Sequence, residues 1–202
     1  MRWLLTLLAV LCTLPALADP VGPPPRGLSV ATFAGGCFWC MEQAFDEVDG
    51  VRETLSGYTG GHVADPGYHQ VSAGGTGHAE SERVYFDPGV VTYSQLLDHY
   101  WHNIDPTVTN RQFCDRGTQY RSVIFYHTPE QKRLAEESKR KIADSGQLPG
   151  PIMTTIEPAG PFYAAEDYHQ NFYRKNPARY KFYKKACGRE ARLQEIWGDQ
   201  AG

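Results

Sequence analysis

Hydrophobic positions change period along the chain, and the changes mark out its elements. Leu28 to Ala34 reads as a short apolar strand, after which Met41, Ala44, Phe45 and Val48 recur at helical spacing. Gly35 and Gly36 fall between the two, at a strand-to-helix turn where a backbone without Cβ can bend sharply. Asp49-Gly50 signals a turn, and Val51 to Tyr58 alternates loosely as a second strand. The glycine-rich polar stretch from Thr59 to His78 reads as a long loop, a length that points to function or disorder. Glu80 to Asp87 resembles a third strand, closed by Asp87-Pro88. Thr92-Tyr-Ser-Gln95 is a capping box, and Leu96, Leu97, Tyr100, Trp101 and Ile104 share one helical face before Asp105-Pro106 ends it. Thr118 to His127 is the clearest strand. Thr128-Pro129 opens a helix running to about Ser145, with proline at its first position. Ile152 to Glu157 reads as a last strand. Phe162 to Tyr173 and Ala178 to Cys187 read as helix or turn, broken at Asn176-Pro177. Nothing repeats, and strands interleave with helices without a strict βαβ rhythm. This predicts an α+β fold, a two-layer sheet covered by helices.

The two ends carry different signals. Arg2 followed by the apolar run Trp3 to Leu17, with Ala16-Leu17-Ala18 after it, has the pattern of a signal peptide cleaved after Ala18. The run is short for a spanning helix, which needs about 20 residues. Residues 19–27 hold four prolines within Asp19 to Arg26 and read as an extended leader with no role in the core. Residues 28–202 are then one catalytic domain, large enough for a real core. A net charge of −3 without long like-charge blocks argues against a nucleic-acid tail. Of five cysteines, Cys12 lies in the removable segment, which leaves four in an oxidising space where structural disulfides compete with every other reading.

The candidate chemistry centres on Gly36-Cys37-Phe38-Trp39-Cys40. A cysteine at a helix start sits beside unpaired N–H groups and the positive dipole end, and both favour the thiolate. Phe38 and Trp39 place an apolar surface beside that sulfur, and Cys40 lies one turn on. A redox nucleophile is one reading and a buried cysteine another. A thioredoxin-like disulfide exchanger is a third, although its aromatic normally precedes the first cysteine. Zinc on Cys37, Cys40, Cys114 and Cys187 is disfavoured, because only one pair has knuckle spacing. Candidates for acid–base work are His78, Glu80, Asp115, Glu166, Asp167 and His169. Glu80 follows the glycine-rich loop as a strand begins, where a carboxyl is ordinarily solvated but, if desolvated, would stay protonated and donate. Tyr120, heading the strand with Val123 and Phe125, faces either core or pocket, and Arg121 reads as a surface or ion-pair residue. The basic-aromatic stretch Tyr173 to Lys185 could stack on nucleic acid, but an amphipathic helix with solvated lysines explains it more simply.

Five blocks in order resemble the A-type peptide methionine sulfoxide reductases. They are Gly36-Cys-Phe-Trp39, Gly57-Tyr-Thr-Gly-Gly61, Gly77-His-Ala-Glu80, Gly117-Thr-Gln-Tyr-Arg-Ser122 and Ala165-Glu-Asp-Tyr-His-Gln170, within Val30 to Pro177. The resemblance implies a ferredoxin-like domain that reduces methionine-S-sulfoxide, free or in proteins, with no bound cofactor or metal. It implies Cys37 as nucleophile, Glu80 as the acid at the sulfoxide oxygen, and Tyr68 and Tyr120 as donors to that oxygen. Asp115 would help arrange the site, and Phe38 and Trp39 would box the substrate methyl. Attack turns Cys37 into a sulfenic acid, which a second thiol condenses to a disulfide. The family is usually re-reduced by thioredoxin. Many relatives carry glycine where Cys40 stands and recycle through a cysteine in a glycine-rich tail. Here Cys187 is slightly favoured as resolver, with Cys40 as its relay partner or the primary resolver. A monomer is expected, exported to the periplasm if the source is bacterial, where a thioredoxin-like protein would reduce it.

Overall fold

The computed structural model describes residues 19–202, so residues 1–18, with the expected signal peptide, lie outside the described residues. In chain order the elements are β1 (Ser29–Gly35), α1 (Phe38–Asp46), β2 (Val51–Thr59), α2 (Tyr68–Ala73), β3 (Ala79–Phe86) and α3 (Tyr93–His102). The two-residue strands β4 (Arg111–Gln112) and β5 (Asp115–Arg116) then form a small separate ribbon. β6 (Ser122–Tyr126), α4 (Pro129–Asp144), β7 (Thr155–Pro158) and β8 (Tyr163–Ala164) follow. The chain ends in α5 (Phe172–Lys175), α6 (Pro177–Ala186) and α7 (Arg189–Trp197).

The six-stranded sheet runs β7-β6-β1-β3-β2-β8, antiparallel except where β7 joins β6. Its middle, β6-β1-β3-β2 with α1 and α3 as crossovers, is the ferredoxin-like βαββαβ unit that the sequence resemblance implies. Alternation sorts the faces of each strand. Ala31 and Phe33 of β1 and Val84 and Phe86 of β3 point into the helical layer, joining Met41, Phe45, Leu96, Tyr100 and Trp101. Phe33 is fully buried between the rings of Phe45 and Tyr100, each 5.0 Å away. Truncating it to alanine would cost about 3–5 kcal/mol. The predicted capping box closes as read, Gln95 N–H donating to Thr92 Oγ1 and Thr92 N–H to Gln95 Oε1.

Several expectations are corrected. The leader has a structural role: Asp19 accepts from Arg83 at 2.6 Å, and the Arg83 side chain is only 2% exposed on the back face of the sheet. A buried guanidinium needs an anion, and no local periodicity reveals a partner 64 residues away. The glycine-rich loop contains α2. The strand expected from Thr118 starts at Ser122, because Gly117 at φ +130° turns residues Thr118–Tyr120 into a 3-10 turn. Where helix or turn is expected, Tyr163–Ala164 adds an edge strand to β2, turn follows, and helix begins only at Phe172.

Candidate active site

The turn between β1 and α1 sets the first half of the site. Gly36 has φ +83°, and a Cβ there would lie 2.5 Å from Gln112 Cβ. Larger residues are therefore excluded twice, by conformation and by space. Cys37 follows at the cap of α1, its carbonyl accepting from the N–H groups of Cys40 and Met41. Both thiols are nearly sealed, Cys37 at 6% and Cys40 at 5% exposure.

A cavity of about 250 Å³ opens over Cys37, lined also by Phe38, Trp39, Tyr68, Glu80, Asp115, Tyr120, Arg179 and Tyr183. All seven residues that the resemblance assigns to attack, oxygen binding, methyl recognition and arrangement of the site meet here. Glu80 is 3% exposed and accepts the Phe38 N–H on Oε2 at 3.2 Å. Burial pushes its carboxyl up to about 8, with Asp115 and Cys40 adding to the rise against the Phe38 bond. It is therefore a neutral O–H donor at pH 7, and the ordinary reading of a solvated strand-edge carboxylate is overturned. Burial lifts the Tyr68 phenol to about 12 and raises that of Tyr120, so both hydroxyls keep their protons. Glu166 positions Tyr68 by accepting its backbone N–H at 2.8 Å and the Tyr58 hydroxyl at 2.9 Å.

The sulfur pair behaves differently from the expectation of a lone thiolate at position 37. Burial, then the hydrogen bond and charge of Cys40, push the Cys37 thiol up. That same hydrogen bond pulls Cys40 down to about 6, against burial and helped by Arg189. The two thiols therefore titrate as a coupled pair in which Cys40 gives up its proton more readily than Cys37. Arg189 is 3% exposed, fixed by donating to the Asn103 carbonyl and lying 4.5 Å from the Phe113 ring centroid.

The other wall comes from the C-terminal segment. Trp39 stacks on Phe172 at 3.7 Å between centroids and donates its Nε1–H to His169 Nδ1 at 3.1 Å. Burial drops His169 to about 4, so it is a neutral acceptor that orients Trp39 and not an acid or base at pH 7. The Tyr183 hydroxyl donates to Asp115 and also contacts Cys37. The Tyr180 hydroxyl donates to Gln43 at 2.6 Å and touches Cys40. His78 is structural, its Nδ1 accepting from Gly61 N–H and its Nε2 meeting the Val63 carbonyl. Asp167 is exposed, its carbonyl accepting from Lys175, and Arg121 donates to the Thr118 and Gly60 carbonyls rather than to an acid.

Cys187 is not a free thiol. It is bonded to Cys114 in a disulfide with Cα atoms 4.8 Å apart, and that pairing also dissolves the four-thiol zinc reading. The periodicity of α6 identified its solvated lysines but hid the inward use of Tyr180 and Tyr183. Tyr183 and Arg189 were missed as site residues. The available signal was two tyrosines three apart in an otherwise basic helix.

Residues 29–201 match the family model described as peptide methionine sulfoxide reductase. The chain belongs to that family. A peptide methionine sulfoxide reductase MsrA of Bacillus licheniformis is 53% identical over 84% of this chain and 93% of its own length. Among solved structures, methionine sulfoxide reductase A of Corynebacterium diphtheriae superposes with TM-score 0.68 at 34% identity, covering 81% of this chain and 82% of that one. Mxr1 of Saccharomyces cerevisiae in reduced form gives TM-score 0.71 at 32% identity over 80% and 90%. The same yeast protein in complex with Trx2 matches at 22% identity and TM-score 0.53 over 77% and 92%, a likeness of fold alone. The family match covers the catalytic pocket, its C-terminal wall and both remaining pairs of cysteines.

Proposed function

We propose that this chain reduces methionine-S-sulfoxide, free and in proteins, by attack of the Cys37 sulfur. The observation that carries the reading is the convergence of one neutral carboxyl and two phenols on a cysteine in an apolar-walled pocket. A sulfoxide oxygen is a poor leaving group unless protonated, and Glu80, Tyr68 and Tyr120 supply the proton and hydrogen bonds. Phe38 and Trp39 hold the methyl group. As the substrate enters, the Cys37 proton passes to the Cys40 sulfur. Cys37 then takes the oxygen to become a sulfenic acid, and methionine leaves. Cys40, already in hydrogen-bond contact, attacks the sulfenic sulfur, releasing water and closing the Cys37–Cys40 disulfide. This assigns recycling to Cys40 in place of Cys187, whose sulfur is engaged with Cys114. An external dithiol of the thioredoxin type restores the pair, a reading supported by the yeast Mxr1–Trx2 complex. The Met1–Ala18 pattern supports export, and in a bacterium a periplasmic reductant, with the enzyme acting as a monomer. General disulfide exchange is disfavoured because it gives no task to the neutral Glu80 carboxyl or to the Tyr68 and Tyr120 phenols that line the pocket with Cys37.

The test is turnover of the separated sulfoxide epimers with dithiothreitol. The S epimer should be reduced and the R epimer left, with Cys37→Ser inactive. Cys40→Ser should release about one methionine per chain and then stall when a thioredoxin supplies electrons. Equal use of both epimers, or an active Cys37→Ser protein, would remove the assignment.

A further inference from the structure

The catalytic pocket has a cation at its mouth to which the chemistry of sulfoxide reduction gives no task. Arg179 lines the pocket beside Tyr183, and the two lie four residues apart on α6 and so share a face. Its guanidinium carbon sits 5.7 Å from the Phe172 ring centroid, and Phe172 in turn stacks on Trp39. Arg179 is exposed. Its neighbours Arg174 and Lys184 are paired with Asp46 and Glu190, whereas among the described residues Arg179 has no acid within ion-pair distance. The nearest pocket acids are engaged elsewhere, Asp115 by the Tyr183 hydroxyl and Glu80 as a neutral carboxyl.

We infer that Arg179 is a specificity residue that selects methionine sulfoxide carrying a carboxylate close to its backbone. A substrate whose sulfur meets Cys37 and whose methyl lies against Phe38 and Trp39 has its α-carbon three bonds further out, at the mouth. A carboxylate there meets the Arg179 guanidinium, which lies within cation–π range of Phe172 at the pocket lining. Two sources share this chemistry: the α-carboxylate of the free amino acid or a chain terminus, and an acidic side chain beside the oxidised methionine in a protein. The inference rests on the sulfoxide reading of the same pocket and narrows its substrate class.

The experiment compares kcat and KM of the purified protein on four substrates with dithiothreitol. Free methionine-S-sulfoxide is set against its N-acetyl amide, and a peptide with aspartate beside the sulfoxide against the same peptide with asparagine. Wild type should prefer the carboxylate member of at least one pair, and added salt should shrink the preference. Arg179→Gln should cut that preference roughly two- to fivefold, as expected for a partly exposed ion pair, through KM and not kcat. Arg179→Glu should invert it. A loss confined to one pair identifies the carboxylate source. Preferences unchanged in both pairs, or a loss equal on charged and neutral substrates, would overturn the assignment. Turnover of the amide by wild type tests the sulfoxide activity itself, so the two readings fail separately.

Discussion

Replacing Glu80 with glutamine should destroy activity while making the protein more stable, and both effects follow from where the carboxyl sits. Folded, the group titrates near 8 because burial disfavours its charge; unfolded, it reverts to about 4.5. Between those two pH values the folded chain retains a proton that the unfolded chain releases. Stability is therefore full below the unfolded value and falls as pH rises through the window, by about 1.4 kcal/mol per pH unit. At pH 7 wild type forfeits about 3 kcal/mol through this one group. Glutamine is nearly isosteric, still accepts the Phe38 N–H, and carries no titrating proton. Urea denaturation of both proteins at pH 5, 6, 7 and 8 should show curves that nearly coincide at pH 5 and separate by about 3 kcal/mol at pH 7. In turnover the variant lacks an acid for the departing oxygen, and a loss of about 10²–10⁴-fold is expected, not recovered at low pH. Parallel stability profiles would mean that the carboxyl is charged in the fold. Turnover within about tenfold of wild type would take the proton-donor role away from it.

Two further substitutions separate structure from chemistry elsewhere. Cys187→Ser with Cys114→Ser should keep thioredoxin-driven turnover while losing about 2–4 kcal/mol of stability, since the cross-link spans a sequence separation of 73; collapse of turnover with unchanged stability would return recycling to Cys187. Asp19→Asn should cost about 2 kcal/mol, discounted because that carboxylate is 33% exposed, by leaving the Arg83 cation without its anion. A midpoint in urea indistinguishable from wild type would show that Arg83 does not depend on it.

The parts of this molecule legible in its sequence are those specified locally. The strand–Gly-Gly–helix turn at Cys37, the Thr92 capping box and the Pro129 helix start each depend on neighbours within a few residues, and each stands where it was read. Glu80, Tyr68 and Tyr120 came from the family blocks, because nothing local says that a carboxyl after a glycine-rich loop will be desolvated. Burial of Glu80 depends on α1 packing over β3, a contact made across 42 residues. The partner of Cys187 was not legible for a related reason. Cys187 occupies the right stretch of sequence, but pairing is decided by which sulfurs the fold brings together, and β5 brings Cys114 to the end of α6. Tyr183 and Arg189 act on sulfurs about 150 residues earlier, a relation that helical periodicity cannot express.

The roof over the two reactive sulfurs is made last. Phe172 and Tyr180 shield Cys37 and Cys40, and Arg189 completes their electrostatics, yet all three leave the ribosome after every strand of the sheet. Until that final segment docks, the reactive pair is bare, Cys114 lacks its mate, and the four sulfurs of the described residues offer three ways of joining two by two. Only the joining of Cys114 to Cys187 suits a working catalyst, because it leaves Cys37 and Cys40 free or joined to each other. Maturation of this enzyme is thus a sorting problem for its sulfurs, solved when the C-terminal helices arrive.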